Sequence, residues 1–318
     1  MNAQAGAVAA VSVVAVLAAA GVIAARQFRD ADEVLVARTS TVRTATPTPT
    51  PTRAPRPTSS PTLTSPTRTT PTRTVDPTQK LLAEKLRIVA QNPLYRVGRL
   101  PASRCKEPSV RPTSVANVRK YYAQSIACLD KTWKPVIVKA GFTFQSPRLE
   151  VFTGKLRTSC DVQDSAAYCG NGVISMNATY DMDNYRKYDR LWTRTTMAHL
   201  IAHEYAHHIQ RLVGISAASW TRTTYLNGVD ATLQESRRVE LQASCLSGAY
   251  LGADRSYFPV SGAWRTRYLW TIRNRGDEWG TKRDHGSAKN HSRWTRRGFD
   301  AGSASACNTF TASAGTVS

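Results

Sequence analysis

Apolar side chains are distributed along the 318 residues in three regimes. Residues Ala5 to Ala25 are apolar or small almost without interruption, a run long enough to cross a bilayer as a helix. From about Thr44 to Thr78 the chain is built almost wholly of Thr, Pro, Ser and Arg, with repeats such as Thr46-Pro47-Thr48-Pro49-Thr50-Pro51. Such a segment has too little apolar surface to build a core, and its prolines keep it extended. Beyond it, apolar residues recur with the periods of secondary structure. Leu81 to Ala90 and Val115 to Trp133 read as helices, and Arg148 to Thr153 and Gly172 to Asn177 as strands. Between Thr196 and Val213, residues Ala198, Ile201, Ala202, Tyr205, Ile209 and Leu212 recur at three-to-four spacing, which predicts a buried helix ending at Gly214. From Glu235 to Leu251 a further helix is expected, with Leu241, Cys245 and Ala249 in one apolar row.

These regimes divide the chain into 1–29, a membrane anchor or a signal peptide cut near Ala18-Ala19-Ala20 or Ala24-Ala25; 30–79, a Thr/Pro-rich stalk; and 80–318, one folded domain of class α+β. About 240 residues suffice for one sizeable core. Arg26 and Arg29 follow the apolar run, which by the positive-inside rule alone would leave the rest in the cytoplasm. Interspersed Asp30, Asp32 and Glu33 weaken that signal, and the stalk and the cysteines outweigh it. The expected location is therefore extracytoplasmic, either membrane-anchored through the N-terminal helix or secreted.

All six cysteines follow the stalk, an even number that favours disulfides in an exported chain. Six allow fifteen pairings, and local spacing suggests Cys105 with Cys128, Cys160 with Cys169 and Cys245 with Cys307. The net charge of +21 has the larger share, +17, after residue 79. A field of that size attracts anionic cell-envelope polymers, lipid headgroups or acidic substrates. No nucleic-acid-binding motif accompanies it, so no specific nucleic-acid partner is expected.

The chemistry concentrates in His203-Glu204-Tyr205-Ala206-His207. With six His and eight Glu in the chain, chance would produce H-E-x-x-H about 0.003 times. On a helix the two histidines share one face a turn apart and ligate one Zn2+, with Glu204 beside the open position as general base. A catalytic zinc needs a third protein ligand, and no histidine follows soon after His207. Glu240, on the following helix, is the better candidate, and Glu235 competes with it. His199 shares the histidine face as a neighbour of the site, and His208 points elsewhere.

The order and spacing of His203-Glu204-Tyr205-Ala206-His207-His208-Ile209-Gln210, Glu240-Leu241-Gln242-Ala243-Ser244-Cys245, His285-Gly286-Ser287-Ala288, Arg293-Trp294, Gly298-Phe299 and Cys307-Asn308-Thr309-Phe310 resemble the neutral zinc metallopeptidase family of bacteria. Tyr168-Cys169-Gly170-Asn171-Gly172-Val173-Ile174 extends the likeness upstream, so that it covers roughly residues 90 to 310. The resemblance implies a zincin-like, mostly helical domain with a small sheet, which hydrolyses a peptide or protein substrate. It also implies zinc held by His203, His207 and Glu240. Within the matched region His285, or else His291 or Tyr268, would donate to the oxyanion of the tetrahedral intermediate. Such enzymes bind an extended substrate along a sheet edge. The family usually has Asp where this chain has Ser244, and that acid would orient a zinc-bound imidazole. This departure keeps a second expectation open, a non-catalytic envelope-binding module that retains a structural metal site.

Overall fold

The computed structural model describes residues 76–154, 165–277 and 283–318. The N-terminal apolar run and nearly all of the stalk lie outside them, as does Cys160 of the expected Cys160–Cys169 pair. No helix among the described residues is long and apolar enough to cross a membrane.

Helix α1, Pro77–Ala90, starts before the expected boundary at residue 80, because Asp76 caps it by accepting from the Thr78 N–H and Pro77 occupies its first turn. Helix α2, Val115–Lys139, is capped by Ser114 and runs six residues past Trp133, through Pro135. An internal proline costs about 3 kcal/mol. Val136 and Ile137, both buried, offset this with roughly 1.5–3 kcal/mol each.

Strands β1 (Arg148–Phe152), β2 (Ala166–Cys169) and β3 (Val173–Asn177) form a sheet of order β1-β3-β2. β1 runs parallel to β3 and β2 antiparallel to it, so among the described residues β1 and β2 are the edge strands. Helices α3 (Ala178–Lys187), α4 (Arg190–Leu212), α5 (Ile215–Tyr225), α6 (Val229–Ala253), α7 (Gly262–Arg273) and α8 (Ala288–Ala301) follow. The described domain is thus mostly helical with a small three-stranded sheet, consistent with α+β.

α4 is its axis. It is buried over most of its surface and contacts α2, α3, α5, α6, α7 and β2. Asp189 caps its start by accepting from the Trp192 N–H, and Gly214, at φ +76°, lets the chain turn directly into α5. α6 and α8 pack backbone to backbone. A Cβ on Gly248 would lie 2.1 Å from the Thr295 carbonyl oxygen, one on Gly252 2.0 Å from that of Phe299, and one on Gly298 1.9 Å from that of Cys245. The Cys245–Cys307 disulfide ties α6 to the segment after α8, and Cys105–Cys128 ties the loop before α2 to that helix.

Candidate metal centre

α4 and α6 present three donor atoms to one point. His203 and His207, one turn apart, bring their Nε2 atoms within 3.2 Å of each other, and Oε2 of Glu240 lies 3.2 Å from the first and 3.3 Å from the second. Nitrogen and oxygen ligands about 2.0–2.2 Å from a tetrahedral zinc stand roughly 3.3–3.6 Å apart, so these three atoms have the spacing of one face of such a site. No other described residue contributes to this group. Glu235, the competing carboxylate, is buried and spent on Arg222, which donates to both its oxygens at 2.7 and 3.0 Å.

Electrostatics follow from the pairing. Burial pushes His207 down, but Glu240, Glu204 and Gln210 outweigh it and raise its pKa to about 9. Burial pushes Glu240 up, while His207, His203 and His285 hold it well below the usual carboxylate range. His203 is lowered, chiefly by burial. On their outer edges, Ser244 Oγ meets His203 Nδ1 at 3.2 Å, and Gln210 Oε1 meets His207 Nδ1 at 2.9 Å.

The three donors open on a cleft of about 760 Å³, lined also by Glu204, His285, Trp220 of α5 and the edge strand β2. Glu204 projects into it next to His203. β2 is held over α4 by His208, whose Nε2–H donates to the Gln145 carbonyl at 2.6 Å and whose Nδ1 accepts from the Tyr168 hydroxyl at 3.0 Å. His285 stands at the rim, its Nε2 3.8 Å from Glu240 Oε2. Its loop is clamped by buried Asp277, which accepts the backbone N–H groups of His285 at 3.0 Å and Gly286 at 2.7 Å. Asp284 pairs with His285 Nδ1 at 2.7 Å. Burial lowers the His285 pKa, but Glu240 and Asp284 more than offset it, so it is raised.

His291 and Tyr268 do not line the cleft. Both are buried behind α4 against His199, with His291 Nδ1 donating to the Ile272 carbonyl. His199 is itself buried, 3.3 Å from Ser247 Oγ. A second cavity, about 560 Å³ between α1 and α5, has no histidine or carboxylate in its lining. The sequence does not mark Asp277 or the roles of Gln210, Gln242 and His208: Asp277 and His208 bond to loops or to a distant strand, and although Gln210 sits one turn from His207, the bonds that orient it and Gln242 come from residues at least 29 positions away.

Fold and centre together define a helical α+β protein built around an H-E-x-x-H helix and a carboxylate from the next long helix. Residues 99–256 match the family described as "Putative neutral zinc metallopeptidase", and that part of the chain belongs to it. The match contains His203, His207, Glu204 and Glu240 and ends before His285. Similar curated proteins include YpfJ of Escherichia coli K12, 29% identical over 212 residues, covering 60% of this chain and 71% of that protein. Mb2605 of Mycobacterium bovis is 26% identical over 215 residues, covering 58% and 68%. Both bear the designation "Uncharacterized protein". No solved structure matches the chain.

Proposed function

We propose that the chain is a zinc-dependent peptidase acting outside the cytoplasmic membrane. The observation that carries this reading is the 3.2–3.3 Å triangle of His203 Nε2, His207 Nε2 and Glu240 Oε2, with Glu204 beside it in an open cleft. A zinc ion held there would supply a Lewis acid and a water acidified towards neutrality. Glu204 takes the proton of the attacking water and returns it to the leaving amine. His285, whose pKa its carboxylate neighbours raise, donates to the developing oxyanion. An extended peptide reaches these groups by pairing with β2, an edge strand among the described residues. The two described disulfides support an oxidising compartment. The basic surface supports retention by anionic envelope polymers, and Ala5 to Ala25 supports an N-terminal membrane or signal helix.

Metal analysis and digestion of a peptide library test the proposal, with Glu204→Gln as control. A zinc-loaded protein that leaves the library intact under all conditions removes the peptidase reading. Ser244 favours the second reading, a non-catalytic envelope-binding module, because an uncharged hydroxyl contacts His203 Nδ1 where the resemblance leads one to expect an acid. Ser244→Asp separates the two. A weakened enzyme gains metal affinity or turnover, on the order of 10-fold or more; a binding module gains neither.

A further inference from the structure

The outer edge of His207 meets a chain of buried amides in which every donor and acceptor is fixed. Gln210 Nε2 donates to the Val239 carbonyl at 2.8 Å and to Gln242 Oε1 at 3.0 Å. A carbonyl only accepts, so the amino end of Gln210 must face Val239 and its oxygen must face His207 Nδ1, 2.9 Å away. Gln242 is oriented in the same way. Its Nε2 donates to the Cys307 carbonyl at 3.1 Å and to the Tyr95 hydroxyl at 2.7 Å, and Tyr95 in turn donates to the Val89 carbonyl at 2.8 Å. Both glutamine side chains are fully buried. Rotating either amide would oppose oxygen to oxygen and strand a buried donor, a penalty of about 1–3 kcal/mol for each unsatisfied group.

We propose that Gln210 is a positioning residue for His207: its locked amide oxygen accepts the Nδ1–H and so turns Nε2 towards His203 and Glu240. The inference rests on reading these three residues as a zinc centre. His203 has no equivalent device. The Ser244 hydroxyl can donate or accept, so it does not select which nitrogen of His203 carries the proton. His207 is therefore the ligand whose orientation is built in, and the structures that fix it, Tyr95 before α2 and Cys307 at the disulfide, lie far from it in sequence.

Two readouts test this. The first is zinc affinity, by competition with a chromophoric chelator, for the parent, Gln210→Leu and Gln210→Glu. The second is solvent exchange of the His207 Nδ1 proton at pH 7 in metal-free protein, by nitrogen–proton NMR. Gln210→Leu should weaken zinc about 10- to 100-fold and speed that exchange at least about 10-fold. Gln210→Glu still offers Nδ1 an acceptor, so that exchange should stay slow in it, although its second oxygen opposes the Val239 carbonyl and Gln242 Oε1 and lowers stability. Parent-like affinity in Gln210→Leu, or Nδ1 exchange as fast in Gln210→Glu as in Gln210→Leu, overturns the inference. If Gln210→Leu does not fold, a rapidly exchanging Nδ1 proton in the parent overturns it. If the parent binds no zinc, the metal-centre reading fails, and the proton-exchange measurement still decides whether Gln210 holds the ring.

Discussion

Zinc must displace a proton to enter this centre. In the metal-free site His207 titrates at about 9, because Glu240 at 3.3 Å more than offsets its burial. Glu240 is held low and His203 is lowered, so at pH 7 two of the three donors are already deprotonated and one is not. A group titrating at about 9 is roughly 1% deprotonated at pH 7. Apparent zinc affinity should therefore rise about 10-fold per pH unit near pH 7, about 50-fold or 2.3 kcal/mol in all between pH 7 and 9, and level off above that. Stability of the metal-free protein should move the opposite way. The raised His207 contributes stability that is fully present below its unfolded value near 6.5 and is lost as pH rises towards 9. The lowered Glu240 contributes stability present above about 4.5 and lost on acidification. The pair is one interaction, counted once, and it stabilises most between about pH 4.5 and 6.5. Competition titrations from pH 6 to 9.5, with melting curves of metal-free protein across the same range, read both trends. Removing the carboxylate in Glu240→Gln should shift the break in the affinity curve below pH 7. Affinity that stays flat between pH 7 and 9 in the parent refutes the argument, as does an unshifted break in the variant.

Two further predictions concern the scaffold. Gly298→Ala places a methyl 1.9 Å from the Cys245 carbonyl, where only backbone could give way, and should cost about 3 kcal/mol in urea unfolding; a loss under 0.5 kcal/mol would show that α6 and α8 do not cross this closely. Replacing both Cys245 and Cys307 by Ala opens a loop of 62 residues and should cost about 4 kcal/mol, read as a lower denaturation midpoint, whereas an unchanged midpoint would deny that bond a role in stability.

The α4 helix was legible because its apolar residues keep a 3.6-residue period and a glycine ends it. β1 and β3 were legible for their short apolar runs. Glu240 was reachable because it precedes the apolar row of Leu241, Cys245 and Ala249, all fully buried in the structure. Other elements carry no such mark. β2 is four residues long and mostly half-buried, too short to alternate. α8 packs through Gly298 against the α6 backbone; its charged residues Lys289, Arg293, Arg296, Arg297 and Asp300 keep to one exposed side at helical spacing, but the buried side of Asn290, His291, Trp294, Thr295 and Gly298 is too polar to read as an apolar stripe. α2 ran past its expected end because Val136 and Ile137 beyond the proline are wanted in the core. Within the site, Gln210 and Gln242 break the apolar pattern of their helices. Gln210 meets His207 three positions away, but the bonds that lock the two amides reach residues 29 to 147 positions away, a distance at which no local pattern reports.

A zinc held by His203, His207 and Glu240 leaves one coordination position open, and zinc K-edge absorption on the purified, zinc-loaded protein reads that arrangement. The expected spectrum is one zinc per chain in a shell of nitrogen and oxygen donors at about 2.0–2.2 Å, two of them imidazole, with an exchangeable water completing the set. Sulfur in the first coordination sphere, or four protein donors with no exchangeable position, would contradict it.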